Sequence, residues 1–120
     1  MKLTIDRAAL IKPLGHAHGV VERRNTVPIL SNAVLRAENS QLTLIATDMD
    51  MDIVETVPAA VMEPGVVTTP AQLIYDIARK LPEGAEIEIA QTDPGQIVMR
   101  AGRSSFSLPT LPVEDFPAIS

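Results

Sequence analysis

The sequence predicts an α+β fold in which two strand-helix-three-strand units set two helices on a β layer. Three observations carry this reading: two apolar stripes at helical spacing, short runs of β-forming residues around them, and the same order of elements in both halves of the chain. A length of 120 residues suits one domain with its own core. The hydrophobic share of 46% and charged share of 21% are those of an ordinary globular chain. Aromatic residues make up only 2%, so Leu, Ile, Val, Ala and Met must fill a core of thin layers without large pockets.

Residues 2–5 read as a strand, and Asp6 follows as a candidate helix N-cap. Leu10, Leu14, Ala17 and Val21 then recur at helical spacing and form one buried stripe, with Lys12 and His16 on the opposite face. Pro13 removes a backbone donor and crowds the preceding turn, at about 3 kcal/mol in a helix interior, so a kink or a late helix start is expected. Beyond the polar break at 22–25, three stretches favour strands: 29–37, 41–46 and 49–57. Asn39-Ser40 between the first two reads as a hairpin turn. In the third, Asp48, Asp50 and Asp52 alternate with Met49, Met51 and Ile53, the pattern of a strand with one solvated face.

The order then repeats. Residues 66–68 form a short strand, and Thr69-Pro70-Ala71-Gln72 predicts a helix start with a Thr cap and Pro at the first helical position. Leu73, Ile74, Ile77, Ala78 and Leu81 are the expected buried stripe, with Gln72, Asp76 and Arg79 facing away. Pro82-Glu83-Gly84 stops the helix, and strands follow at 85–90, 97–101 and 104–108. Two such units side by side would let the polar faces of both helices share one surface.

Composition and spacing weigh against chemistry. The chain has no Cys, hence no disulfide, thiolate metal site or Cys nucleophile, which fits a reducing, cytoplasmic setting. Neither a signal-peptide core nor an apolar run of roughly 20 residues is present, so a soluble protein with no membrane partner is expected. Asp48-x-Asp50-x-Asp52 resembles the start of a calcium loop, but Ile53 stands at the required Gly and Ala59 at the required Glu, so no metal site is predicted. His16 and His18, two apart on a helix, diverge. Ser104, Ser105 and Ser107 lack a nucleophile-elbow motif, and the six glycines form no phosphate-cradling loop. No catalytic residue and no cofactor are predicted.

The net charge of -5 is unevenly placed. Residues 6–24 carry Arg7, Lys12, Arg23 and Arg24 against Asp6 and Glu22, and residues 71–80 carry Arg79 and Lys80 against Asp76, so both helical regions are net positive. The remainder holds four basic residues against twelve acidic ones. From charge alone a solvated outer helix face accounts for the helical cations.

Five segments resemble one family. They are Met1-Lys2-Leu3-Thr4 with Lys12-Pro13-Leu14; Thr26-Val27-Pro28-Ile29-Leu30-Ser31-Asn32; Ala46-Thr47-Asp48-Met49-Asp50-Met51; Leu81-Pro82-Glu83-Gly84-Ala85-Glu86-Ile87; and the run from Arg100-Ala101-Gly102-Arg103 through Phe106-Ser107-Leu108 to Asp115-Phe116-Pro117. Together they span the chain in order, and they resemble the amino-terminal domain of the bacterial DNA polymerase III beta subunit, the beta sliding clamp. The resemblance implies the DNA-clamp fold and a non-catalytic processivity factor: a ring of two subunits, each of three similar domains, that encircles duplex DNA with helices inside and tethers the replicative polymerase.

Residues 1–120 would be the first of those domains, the later two lying outside this chain. Double-stranded DNA, a second subunit, the polymerase and the clamp loader are the implied partners, the last two through the later domains. By position Arg24 matches a DNA-contacting arginine of the family, and Arg23 is its charged neighbour. Lys12 and Arg79 join them on helix-face geometry. Arg103, Phe106 and Leu108 match the edge strand that meets the other subunit, and an apolar edge strand suits continued pairing. Leu73, Gln96 and Ser105 depart from the family by replacing basic residues near that edge, as does Gln72 on the second helix. The alternative is a stand-alone α+β interaction module that uses residues 103–108 and never touches DNA.

Overall fold

The computed structural model describes residues 1–21, 28–48 and 50–117. Chain order is β1 (Lys2–Asp6), α1 (Arg7–Val21), a short 3-10 turn (Pro28–Ser31), β2 (Asn32–Glu38), β3 (Gln41–Thr47), β4 (Asp52–Pro58), β5 (Ala60–Glu63), β6 (Gly65–Pro70), α2 (Ala71–Lys80), β7 (Glu86–Asp93), β8 (Gln96–Ala101) and β9 (Ser104–Pro109). A second 3-10 turn at Val113–Asp115 follows.

The strands form two antiparallel sheets, ordered β4-β3-β2-β6 and β5-β1-β7-β8-β9. The two predicted units are therefore not simply side by side. Each lends its first strand to the other: β1 pairs with β7, with Leu3 opposite Ile89 and Ile5 opposite Ile87, while β6 pairs with β2, with Val67 opposite Leu35. The exchange satisfies an edge that each three-strand meander would leave open. It also merges the cores, and Leu3, Ile5, Leu10, Leu14, Leu35, Leu44, Ile74, Ile87, Ile89 and Met99 belong to one hydrophobic cluster. Strand β5 was not expected. Its four residues between Pro58 and Pro64 are too few to show a period, and pairing with β1, Leu3 opposite Val61, creates it.

Helix α1 runs unbroken through Pro13 from Arg7, so the late start is not found. Pro13 lies on the buried side with Leu10, Leu14, Ala17 and Val21. Burying Leu10 and Leu14 contributes roughly 1.5–3 kcal/mol each, enough to offset the proline. In α2, Ile74, Ile77 and Ala78 are buried as expected, but Leu73 is 39% exposed. At 100° per residue it sits on a flank of the helix, away from the Tyr75 side.

Thr69 does not cap α2. The N-cap is Pro70 with no side-chain bond, and the Thr69 hydroxyl donates instead to the Pro109 carbonyl at 2.8 Å. Next to it the buried Thr68 hydroxyl donates to Leu111 O (2.9 Å) and accepts from Asn32 Nδ2 (3.0 Å). These bonds and the Thr68–Leu111 bridge fasten the segment after β9 to β6. Asn39 and Ser40 both have positive φ, 51° and 60°, which fits a type I′ hairpin turn. The third strand begins only at Asp52. Before it, the Asp48 carboxylate accepts the N–H groups of Asp50 (2.9 Å) and Met51 (2.7 Å), so this acidic stretch opens as a turn rather than a strand.

Candidate nucleic-acid interface

The two helices lie side by side and run in opposite directions. Arg7, at the start of α1, reaches the last turn of α2, while Gly15 and His18 farther along α1 meet Tyr75 in mid-α2. A Cβ at Gly15 would stand 3.4 Å from Tyr75 Oη, so the missing side chain is what lets the phenol settle between the helices. The His18 ring flanks Tyr75 at 5.1 Å between centroids.

On the face turned away from the core, α1 exposes Lys12 and His16, and α2 exposes Gln72, Arg79 and Lys80. Arg79 is held from two sides. Its guanidinium carbon lies 5.0 Å from the Tyr75 ring centroid, and its Nη2 is 3.4 Å from Asp76 Oδ1. The side chain is still 57% exposed, so its charge stays available to a solvent-side anion. His16 Nδ1 lies 2.8 Å from Glu55 Oε2 and ties α1 to β4. With His16 turned to β4 and His18 to Tyr75, the two rings point to different flanks. Among the described residues no group of three or more His, Cys, Asp or Glu is placed to hold a metal ion.

The structure thus brings Lys12 and Arg79 onto one helix layer, whereas Arg23 and Arg24 lie outside the described residues. Sequence reasoning missed the role of Arg7. It counted as one more positive charge, yet its Nε donates to the Ala78 carbonyl at 3.0 Å and its Nη2 to the Arg79 carbonyl at 3.2 Å. Those are carbonyls of the last turn of α2, which a helix cannot satisfy from within. The partners are 71 and 72 residues away in sequence, so no local pattern could have found them.

The second predicted surface is β9, an edge strand of the five-stranded sheet. Arg103 is exposed in the β8–β9 turn and Phe106 is half-buried against the core. Leu108 is 1% exposed. Its side chain packs inside this domain, and only its backbone is left to the edge. Gln96 is half-buried opposite Pro109 of β9, and Ser105 is exposed opposite Arg100, so both of these departures from the family put an uncharged side chain at the edge. The Asp52 carboxylate accepts the Thr47 hydroxyl, another local use of the acidic stretch.

Known proteins share this arrangement. The profile of the family described as DNA polymerase III beta subunit, N-terminal domain, matches residues 1–120. The chain is 53% identical over 121 residues to the beta sliding clamp of Caulobacter vibrioides, covering 100% of this chain and 32% of that protein. It is 45% identical over 118 residues to the beta sliding clamp of Escherichia coli, covering 98% of this chain and 32% of the relative. A solved structure of Caulobacter crescentus pol III beta superposes with a TM-score of 0.95 at 54% identity, over 100% of this chain and 32% of the other. The DNA polymerase III subunit beta of Pseudomonas aeruginosa superposes with a TM-score of 0.93 at 44% identity, over 100% and 32%. The chain therefore spans 32% of the length of these relatives.

Proposed function

The chain belongs to the family of DNA polymerase III beta subunit N-terminal domains, and from that premise we propose that residues 1–120 are the first domain of a ring-shaped, non-catalytic processivity factor that encircles duplex DNA. The observation that carries this reading is the separation of charge between layers. The most exposed charges on the two helices are Lys12, Arg79 and Lys80, with Asp76 partly exposed beside Arg79, whereas the strands expose Asp6, Glu38, Asp52, Glu63, Glu86 and Asp93 against the cations Lys2 and Arg100. A helix layer facing the phosphates and acidic strands facing out would attract the duplex to the inside of a ring despite the net charge of -5.

Few, sequence-independent phosphate contacts suit sliding, since base-edge contacts would fix a register. In this reading Lys12, Arg79, Arg23 and Arg24 face the DNA. Arg103, Phe106 and the backbone of β9, including that of Leu108, meet the far end of a second subunit. The replicative polymerase and the clamp loader are held by the later domains. The setting is the cytoplasm, where the chromosome is copied, and no helix among the described residues is long and apolar enough to cross a membrane.

The test is retention of the full-length parent protein on nicked circular DNA after assembly by its loader, compared with the same DNA cut once. Retention on the circle with rapid loss from the cut form is the expected result. Equal retention on both would mean ordinary contact binding and would overturn the ring.

A further inference from the structure

We propose that Arg7 is a positioning residue of the helix layer: its guanidinium closes the C-terminal end of α2 and thereby fixes Arg79, and it is not itself a phosphate contact. The role for Arg79 rests on the proposed DNA-facing layer; the role for Arg7 as a clamp on α2 does not.

Three observations place Arg7 in this role. First, one edge of its guanidinium is engaged within the fold, with Nε on Ala78 O at 3.0 Å and Nη2 on Arg79 O at 3.2 Å, and the residue is only part-exposed. Second, the acceptors are main-chain carbonyls at the negative end of the helix dipole, where a cation is most stabilising and where no intrahelical N–H four residues on reaches them. Leu81, at the C-cap, is extended and donates its N–H to the same Ala78 oxygen at 3.3 Å, so nothing continues the helix beyond Lys80. Third, Arg7 has a fixed base, because its own N–H donates to Ala85 O at 2.9 Å, on the chain that leaves α2 for β7. One residue at the junction of β1 and α1 thus grips both sides of the α2 terminus.

What this fixes is the backbone of Arg79, one of the two acceptors. With that backbone held, the Arg79 side chain is directed by the Tyr75 ring at 5.0 Å and Asp76 at 3.4 Å. Loosening the last turn would release all three relations together. A lysine at position 7 keeps the charge but presents a single ammonium, which cannot reproduce a planar two-carbonyl fork. Charge and geometry can therefore be separated by one substitution.

Two measurements on the full-length parent protein test this. In hydrogen exchange without DNA, Arg7→Lys should speed exchange in peptides covering residues 76–82 by tenfold or more and leave β2 and β3 unchanged. Unchanged exchange in α2 would overturn the clamp, and so would a uniform increase throughout the domain, the mark of general destabilisation. In binding to short linear duplex at low salt, Arg7→Lys should weaken affinity several-fold, as should Arg79→Ala, with the double variant no weaker than Arg79→Ala within twofold. Full affinity in Arg7→Lys, or losses that multiply in the double variant, would overturn the path through Arg79. Absence of DNA binding by the parent protein itself would overturn both that path and the DNA-facing layer, with the exchange result still deciding the clamp.

Discussion

Ser40 shows how a single residue can be held against its preference. The β2–β3 turn needs positive φ at both central positions, and Ser40 adopts 60° although only Gly does so without strain. Its side chain is exposed, and its carbonyl, which accepts from Ala59 N–H at 3.1 Å, would survive any substitution. Ser40→Gly should therefore raise stability by about 0.5–1 kcal/mol, read as a higher urea midpoint at unchanged slope. A fall would show that the turn depends on the serine hydroxyl. The turn itself was legible from Asn39-Ser40 between two β runs. Arg7 was not, because a charged residue at a helix start looks the same whether it points to solvent or across the fold. Thr69 misled for a related reason: a hydroxyl before a helix suits a cap, but the nearby Pro109 carbonyl competes for it and wins.

At the level of elements, one face of β9 offers two different environments. Phe106 and Leu108 share one face of the strand, yet the first is half-buried and the second is sealed in the core. Leu108→Ala should cost about 2–5 kcal/mol through the cavity it leaves, seen as a lowered urea midpoint of the 120-residue chain. If β9 meets a second subunit, Phe106→Ala should leave the domain folded and weaken dimerisation of the full-length protein by tenfold or more, about 1–2 kcal/mol, seen in sedimentation. Equal loss of folding from both would remove Phe106 as an interface residue. The helices were readable because a period of 3.6 survives in Leu10, Leu14, Ala17 and Val21 and in Ile74, Ile77 and Ala78. Leu73 was misplaced because a helix of ten residues has flanks, and an apolar residue on a flank differs from a core residue only by what packs over it. The start of β4 was also misread. Alternation of Asp with apolar residues fits a strand, but an Asp carboxylate can equally bind the backbone just ahead of it, as Asp48 does.

For the whole molecule, charge placement makes a prediction of its own. Lys12 is exposed on the helix layer. If that layer faces phosphates, Lys12→Ala should flatten the dependence of log affinity on log salt by about 0.9 for each phosphate it would otherwise neutralise, equally for duplexes of any sequence. An unchanged slope would put Lys12 outside the interface. The sequence by itself determined the α+β class, the two helices and their buried stripes, most strands and turns, and the family, because periodicity, turn chemistry and segment identity are local properties of the chain. Only the tertiary structure decided that the two units exchange their first strands, that β5 exists, that Leu108 is core and Leu73 surface, and that Arg7 binds α2. Each of these depends on which groups meet across many tens of residues, where hydrogen-bond partners and burial are assigned by the packed fold and leave no mark on neighbouring residues.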